Sequence, residues 1–157
     1  MINLIGDGGH AAVIRDLIRA RERLDKDFAL ADGWIIAVGN NADRKHEAEL
    51  NRGKSWTYLV HPSATVASSA IIGMGTVIMA GAVVQARAVI GAHCILNTGC
   101  GVDHDSVLED FVHIAPGAHL CGGVHVGEGA LVGVGVGLEP LVRIPAWSTV
   151  TRAPYDL

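Results

Sequence analysis

Lysine is absent after Lys54, aromatic residues make up 4% of the 157-residue chain, and cysteine occurs three times. Each scarcity excludes something. A formal charge of -4 with no late lysine leaves no basic footprint for DNA or RNA, which proteins bind through clustered Lys and Arg. Cys94, Cys100 and Cys121 are odd in number, and their spacing fits neither a disulfide framework nor a paired zinc motif. The start, Met1 to Gly6, lacks the basic region of a signal peptide, so a cytoplasmic protein is expected. Residues 61–86 contain no Asp, Glu, Lys or Arg, enough to span a bilayer. That stretch nevertheless carries Pro62, three serines, two threonines and three glycines, which argues against a membrane helix. Half the residues are apolar, too many for a disordered chain.

Charge is unevenly placed. Residues 1–57 hold 9 of the 12 Lys and Arg and 9 of the 16 Asp and Glu; the remaining 100 residues hold 3 and 7. Two compositions predict two units, 1–57 and 58–157. In the second, stepping by six from Val60 through Ile78, Leu96, Ile114 and Val132 to Val150 meets only Val, Ile or Leu at sixteen positions. The position four later is small throughout, from Ala64 through Ala82, Cys94, Cys100 and Ala118 to Ser148. A period of six is neither helix nor simple strand; it predicts a short strand plus a turn, with one large and one small inward side chain per unit. Gly73, Gly91 and Gly127 are expected to serve the bends. The pattern resembles the hexapeptide-repeat acyltransferases, which implies a left-handed parallel β-helix with 18 residues per coil and about five coils over residues 60–150. Cys94 and Cys100 then read as core residues, and Cys121 falls outside both columns.

The first unit reads as α/β. An apolar strand at 2–5 runs into Gly6-Asp7-Gly8-Gly9-His10 and a helix to about Arg23; a strand at 34–38 runs into Gly39-Asn40-Asn41 and a helix from about Ala42 to Arg52. This is a small Rossmann-like βαβα module ending in a strand near residues 56–59. A glycine loop at a helix start can meet phosphate through backbone N–H groups, or can be a tight βα turn and nothing more.

The Gly-x-Gly-Gly-His-Ala loop, the Ala37-Val38-Gly39-Asn40-Asn41 strand end, the His61-Pro62-Ser63-Ala64 entry and the hexads together resemble the sialic-acid O-acetyltransferase-like family. Its members include N-acetyltransferases of nucleotide-linked 4-amino-4,6-dideoxy sugars. The resemblance implies that Gly6, Asp7, Gly8, Gly9, His10, Gly39 and Asn40 bind the nucleotide sugar, that the β-helix binds acetyl-CoA, and that the protein is a homotrimer. Such proteins carry an additional strand with acidic residues where this chain has only 24–33, and Asp25, Asp27 and Asp32 are not obvious equivalents.

Acetyl transfer to an amine needs a base for the amine proton and a donor for the carbonyl oxygen. In the polar run 97–105, His104 is the base candidate, with Asp105 to hold its tautomer. Adding one coil of 18 residues places Gly122 beside His104, where its N–H could meet the oxyanion. The resemblance assigns His104, Asp105 and Gly122 the same roles, puts Asn97 near the sugar, and gives His113 to acetyl-CoA binding; Val134 is expected on the cofactor side, and Arg143 and Arg152 are the cations left near the C-terminal end for CoA phosphates. His93, His119 and His125 are expected on the surface. A γ-carbonic-anhydrase-like zinc site is a rival, but His113, His119 and His125 differ by six and so fall on different faces of a triangular coil, where they cannot converge on one ion. No metal is expected. The same residues also fit sugar O-acetylation, and the same fold a non-catalytic scaffold.

Overall fold

The structure, a computed structural model, describes residues 1–24 and 32–151; Asp25, Asp27 and Arg152 lie outside the described residues. Strand β1 (Ile2–Ile5), helix α1 (Gly9–Leu24), strand β2 (Gly33–Ile36) and helix α2 (Asn41–Leu50) open the chain. β1 and β2 pair in parallel with Ile2 opposite Gly33, and Trp56 adds an isolated parallel bridge to Trp34. The expected third strand is thus a single bridge, because Leu59–Val60 pairs with Val77–Ile78 instead.

From Leu59 onward sixteen two-residue strands build a parallel β-solenoid of about five turns. Its first face has six strands, beginning Leu59–Val60 and including Ile95–Leu96 and His113–Ile114; its second has five, including Gly101–Val102 and His119–Leu120; its third has five, including Val107–Leu108 and His125–Val126. Strands on one face pair at a step of 18 residues, as Gly101 does with Val83 and with His119. The first corner joins first face to second (97–100 in one coil), the second corner joins second to third (103–106), and the third corner returns to the first face (109–112).

The two predicted columns fill the interior. Ile78, Leu96, Ile114 and Val132 are fully buried with Ala82, Cys94, Cys100 and Ala118. Where the small column is polar, its hydroxyl is paired: Thr76 Oγ1 donates to Gly91 O at 2.8 Å, and Ser106 Oγ donates to Cys121 O at 3.2 Å. Each coil repeats a backbone with positive φ every six residues from Gly75 to Trp147. Glycine fills that column at the first corner, whereas at the other two Arg87, His93, Asp105, Phe111, Leu141 and Trp147, with φ of 55–65°, share it with Gly75, Gly123 and Gly129. The glycines expected to serve the bends lie two residues before this column. Gly73, Gly91 and Gly127 have ordinary φ and are needed because the next coil is close: a Cβ on Gly73 would lie 2.4 Å from Gly91 C.

A second core lies outside the solenoid. Ala11, Ile14 and Leu17 of α1, with Ile35 and Ala37, pack on Leu59, Val77, Met79 and Ile95 of the first face. At the third corner Arg44 of α2, 1% exposed, directs its guanidinium into backbone carbonyls: Nε to His93 O at 2.8 Å, Nη2 to Phe111 O at 2.8 Å, and Nη1 to Val38 O and Gly39 O at 3.1 Å. Nη2 also meets Asn41 Oδ1 at 2.7 Å, which leaves no N–H of the fork without an acceptor. His93 is a correction to the expectation of a surface histidine. It is buried, stacked on Phe111 at 5.2 Å and set edge-on against Trp56 at 4.8 Å, because the α2 side of the molecule covers this corner. Among the described residues no helix is long and apolar enough to cross a membrane; the charge-free stretch 61–86 is solenoid.

Candidate active site

His104 and Asp105 occupy the second corner, in the turn after Gly101–Val102. Asp105 takes the left-handed φ of 60°, and its Oδ2 accepts a hydrogen bond from His104 Nδ1 at 2.8 Å. A carboxylate can only accept, so Nδ1 carries a proton, and in the neutral imidazole the lone pair is on Nε2. The other face of Asp105 is met by Arg87, whose Nε and Nη2 donate to Oδ1 and Oδ2 at 2.7 and 2.8 Å. The hydrogen bonds from Arg87 first, and from His104 second, hold the Asp105 carboxyl well below the usual carboxylate range.

One coil above, Gly122 lies against the imidazole. A Cβ there would stand 2.6 Å from His104 Cε1 and 2.7 Å from Nε2, so the ring occupies the space a side chain would need. Gly123 N–H donates to His104 O at 2.9 Å, and Gly122 O accepts from Leu141 N–H at 3.1 Å. Among the described residues no acceptor takes the Gly122 N–H. A free backbone donor therefore lies beside a free imidazole lone pair. A groove of about 320 Å³ opens next to them on the second face, lined by Gln85, Asp103, His119 and Cys121 among others.

A separate polar group gathers where α1 and α2 meet the first face. Asn97 Nδ2 donates to His113 Nε2 at 3.1 Å. Burial, then the charge of Arg44, then that of His10, pushes His113 down to about 4, against a hydrogen bond to the Gly39 backbone. Burial and Arg44 likewise push His10 to about 4, and among the described residues the buried His10 Nε2 has no hydrogen-bond partner. Both histidines are neutral at physiological pH. Gly39, Asn40, Asn41 and His113 line a cavity of about 180 Å³ with Leu131 and Thr149. Gly6 is fixed by its φ of 110° and by Ala37 O, which a Cβ would approach to 2.8 Å; a Cβ on Gly8 or Gly9 would meet none of the described residues within 4 Å, and Asp7 is exposed. Asn40 caps α2, its side chain accepting from Ala42 N and Asp43 N at 2.9 and 3.1 Å.

No protein-family model matches the chain. The acetyltransferase domain of PglB from Neisseria gonorrhoeae FA1090, solved with acetyl coenzyme A, is 35% identical, with a TM-score of 0.88 over 96% of this chain and 87% of that one. The chain belongs to the hexapeptide-repeat family of nucleotide-linked amino-sugar N-acetyltransferases. A histidine-to-asparagine mutant of perosamine N-acetyltransferase from Caulobacter crescentus, in complex with CoA and GDP-perosamine, is 30% identical over 97% of this chain and 89% of that one, with a TM-score of 0.82. UDP-N-acetylbacillosamine N-acetyltransferase of Bacillus subtilis is 46% identical in a match that covers 44% of this chain and 46% of that protein, so under half of the curated relative's length is matched.

Within this family member, one chain brings together His104, Asp105 and Gly122, and separately His10, Gly39, Asn40, Asn97 and His113. It does not join the two groups, the first lying at the second corner and the other against the first face. Val134 stands exposed at the first corner. Arg143 lies on the third face, where Nη1 approaches His125 Nδ1 at 3.5 Å while His125 Nε2 donates to Glu109 at 2.8 Å. His113, His119 and His125 fall on three different faces. Two site residues escaped the sequence reading. Arg87 was reachable, since it is 18 residues before Asp105; Arg44 was not, because its acceptors at positions 93 and 111 are main-chain carbonyls that no side-chain pattern reports.

Proposed function

We propose that the chain transfers the acetyl group of acetyl-CoA to the amine of a nucleotide-linked amino sugar by direct attack. The observation that carries this reading is the free Nε2 of His104, oriented by Asp105 and set beside the unpaired Gly122 N–H. The amine nitrogen attacks the thioester carbonyl, and His104 Nε2 takes the proton it sheds. Gly122 N–H donates to the oxygen as it becomes negative. The C–S bond then breaks, and the proton held on His104 passes to the departing CoA thiolate. No covalent enzyme intermediate is involved. The histidine-substituted perosamine enzyme, solved with CoA and its nucleotide sugar, supports a histidine in this chemistry.

In this reading residues 1–57 form a Rossmann-like module in which the Gly6 to His10 loop, Gly39 and Asn40 hold the nucleotide sugar and Asn97 lies near the sugar. Residues 58–157 form a left-handed β-helix, with His113, Val134 and Arg143 on the acetyl-CoA side. The two polar groups belong to one site through a neighbouring copy, in a cytoplasmic homotrimer with acetyl-CoA between adjacent β-helices. Thiol release from acetyl-CoA, followed with a panel of UDP- and GDP-linked amino and hydroxyl sugars, identifies the acceptor and separates N- from O-transfer. His104→Ala is expected to cut turnover by at least about 10²-fold; a near-normal rate in that variant removes His104 from the role of base.

A further inference from the structure

Arg87 is an arginine in a backbone conformation that disfavours any residue with a Cβ. Its φ is 60°, one coil below Asp105 with the same φ, in the column that glycine fills at the first corner. A non-glycine residue held there costs on the order of 1–2 kcal/mol, and such positions persist where the surroundings over-determine them. The surroundings here are specific. Arg87 N donates to Ser69 Oγ at 3.2 Å from the coil below, and Asp105 N donates to Ala86 O at 3.1 Å. The two backbones are thereby stacked so that the guanidinium fork closes on both carboxylate oxygens. One of those oxygens, Oδ2, is the atom that accepts from His104 Nδ1.

We propose that Arg87 is a positioning residue for His104, acting through Asp105 in two ways, and the proposal rests on His104 being the base. First, it pins the carboxylate. An Asp bonded only to its neighbouring histidine can rotate, and the imidazole turns with it; with both oxygens engaged from the coil below, the ring is held with Nε2 toward Gly122. Second, it compensates the carboxylate's charge. An uncompensated Asp105 stabilises the imidazolium, so the neutral base would be recovered only at higher pH. Among the described residues, the other titratable groups near His104 include Asp103, whose Oδ1 accepts the His104 backbone N–H at 2.9 Å, and His119 and Cys121 in the adjoining groove, with Glu139 at the same corner one coil above Cys121. Arg87 supplies the cation facing Asp105.

The test compares Arg87→Asn, Arg87→Lys and His104→Ala with the parent. Asn tolerates left-handed φ better than Arg, so Arg87→Asn removes the fork without adding backbone strain. Nitrogen-15 NMR of histidine-labelled protein reads the His104 tautomer and titration without any substrate. The parent is expected to show the Nδ1–H tautomer alone. Arg87→Asn should show mixed tautomers and a His104 midpoint displaced to higher pH than the parent's. Arg87→Lys, which keeps the charge and loses the fork, should restore the midpoint but not the single tautomer. Turnover in Arg87→Asn should fall on the order of tenfold with both KM values within about twofold, and its acid limb should move to higher pH. An Arg87→Asn protein with the parent's tautomer, midpoint and turnover overturns the proposal. So does a turnover loss accompanied by an unchanged tautomer and pH profile, since that assigns Arg87 to the coil stack alone. A His104→Ala variant of near-normal rate defeats the base reading instead, whatever the Arg87 variants show.

Discussion

At the residue scale, the informative positions are those where a side chain and a neighbouring backbone compete for one space. Gly122 is the clearest. Its φ is ordinary, so no conformational argument requires glycine; the requirement is that a Cβ would stand 2.6–2.7 Å from the His104 ring. Gly122→Ala therefore strains only a half-exposed imidazole, which can swing aside, and the cost falls on activity rather than on folding. We expect turnover to drop by on the order of 10²-fold while Tm changes by no more than about 2 °C, checked by thiol release and thermal melting of the same preparation. Comparable losses in both would mean that the ring cannot move. The pairing of His104 with Gly122 was legible in the sequence because it is register arithmetic, one coil of 18 residues up. The same step down from Asp105 reaches Arg87, but an arginine in a turn column reads as a solvated side chain until its φ and its fork geometry are seen.

At the element scale, α2 is held to the solenoid by Arg44, a cation with no carboxylate partner among the described residues. Burial brings Arg44 down to about 10, which still leaves it charged at neutral pH, and its charge is met by carbonyl dipoles from His93, Phe111, Val38 and Gly39. Around it Lys45 pairs with Glu128 at 2.8 Å and lies 5.1 Å over the Trp147 ring, and Asn41 donates to Gly129 O at 3.0 Å. These contacts join residues 41–45 to turns more than 45 positions away. Arg44→Met leaves buried carbonyls unpaired and is expected to cost about 3 kcal/mol in denaturant unfolding, with faster hydrogen exchange in α2. An effect below about 1 kcal/mol would show that water can replace the guanidinium. Helices α1 and α2 were themselves readable as the segments that follow the two strand–glycine turns, within a few residues at each end. Their docking was not, because it is written in main-chain acceptors. The hexads were the opposite case: strand, turn and core position all follow from one period, so nearly every solenoid strand was legible.

The acid response belongs to the same docking. His10, His93 and His113 are each pushed to about 4, with burial as the first cause and Arg44 as the second. An unfolded histidine binds its proton near 6.5, so between about 6.5 and 4 the unfolded chain holds more protons than the folded one. Their contribution to stability is fully present above about pH 6.5 and is lost as the pH falls toward 4. Thermal melts across that window should show a falling Tm, with a shallower fall in His93→Phe, which keeps an aromatic ring between Phe111 and Trp56 without a titrating group. An equal slope in both proteins would place the acid sensitivity elsewhere.

At the scale of the whole molecule, the uneven charge separates an outer layer of helices from a solenoid with two faces that α1 and α2 do not cover. Ile71 and Val89 stand exposed in adjacent coils of the third face, beside the corner that carries His104. The candidate site residues are divided in the same manner, with His104 on one corner and His113 on a face away from it. If adjacent copies complete one site, two chains that are each impaired should repair one another. An equimolar mixture in which His104→Ala and His113→Ala chains assemble at random would give about a quarter of the interfaces an intact His104 from one copy and an intact His113 from the next, and so about a quarter of the parent's turnover. The mixed protein should sediment as three chains of 16.4 kDa each. Turnover no higher than the average of the two parent variants, at the same sedimentation, would mean that each chain works with its own two histidines and that the exposed third face serves assembly without serving catalysis.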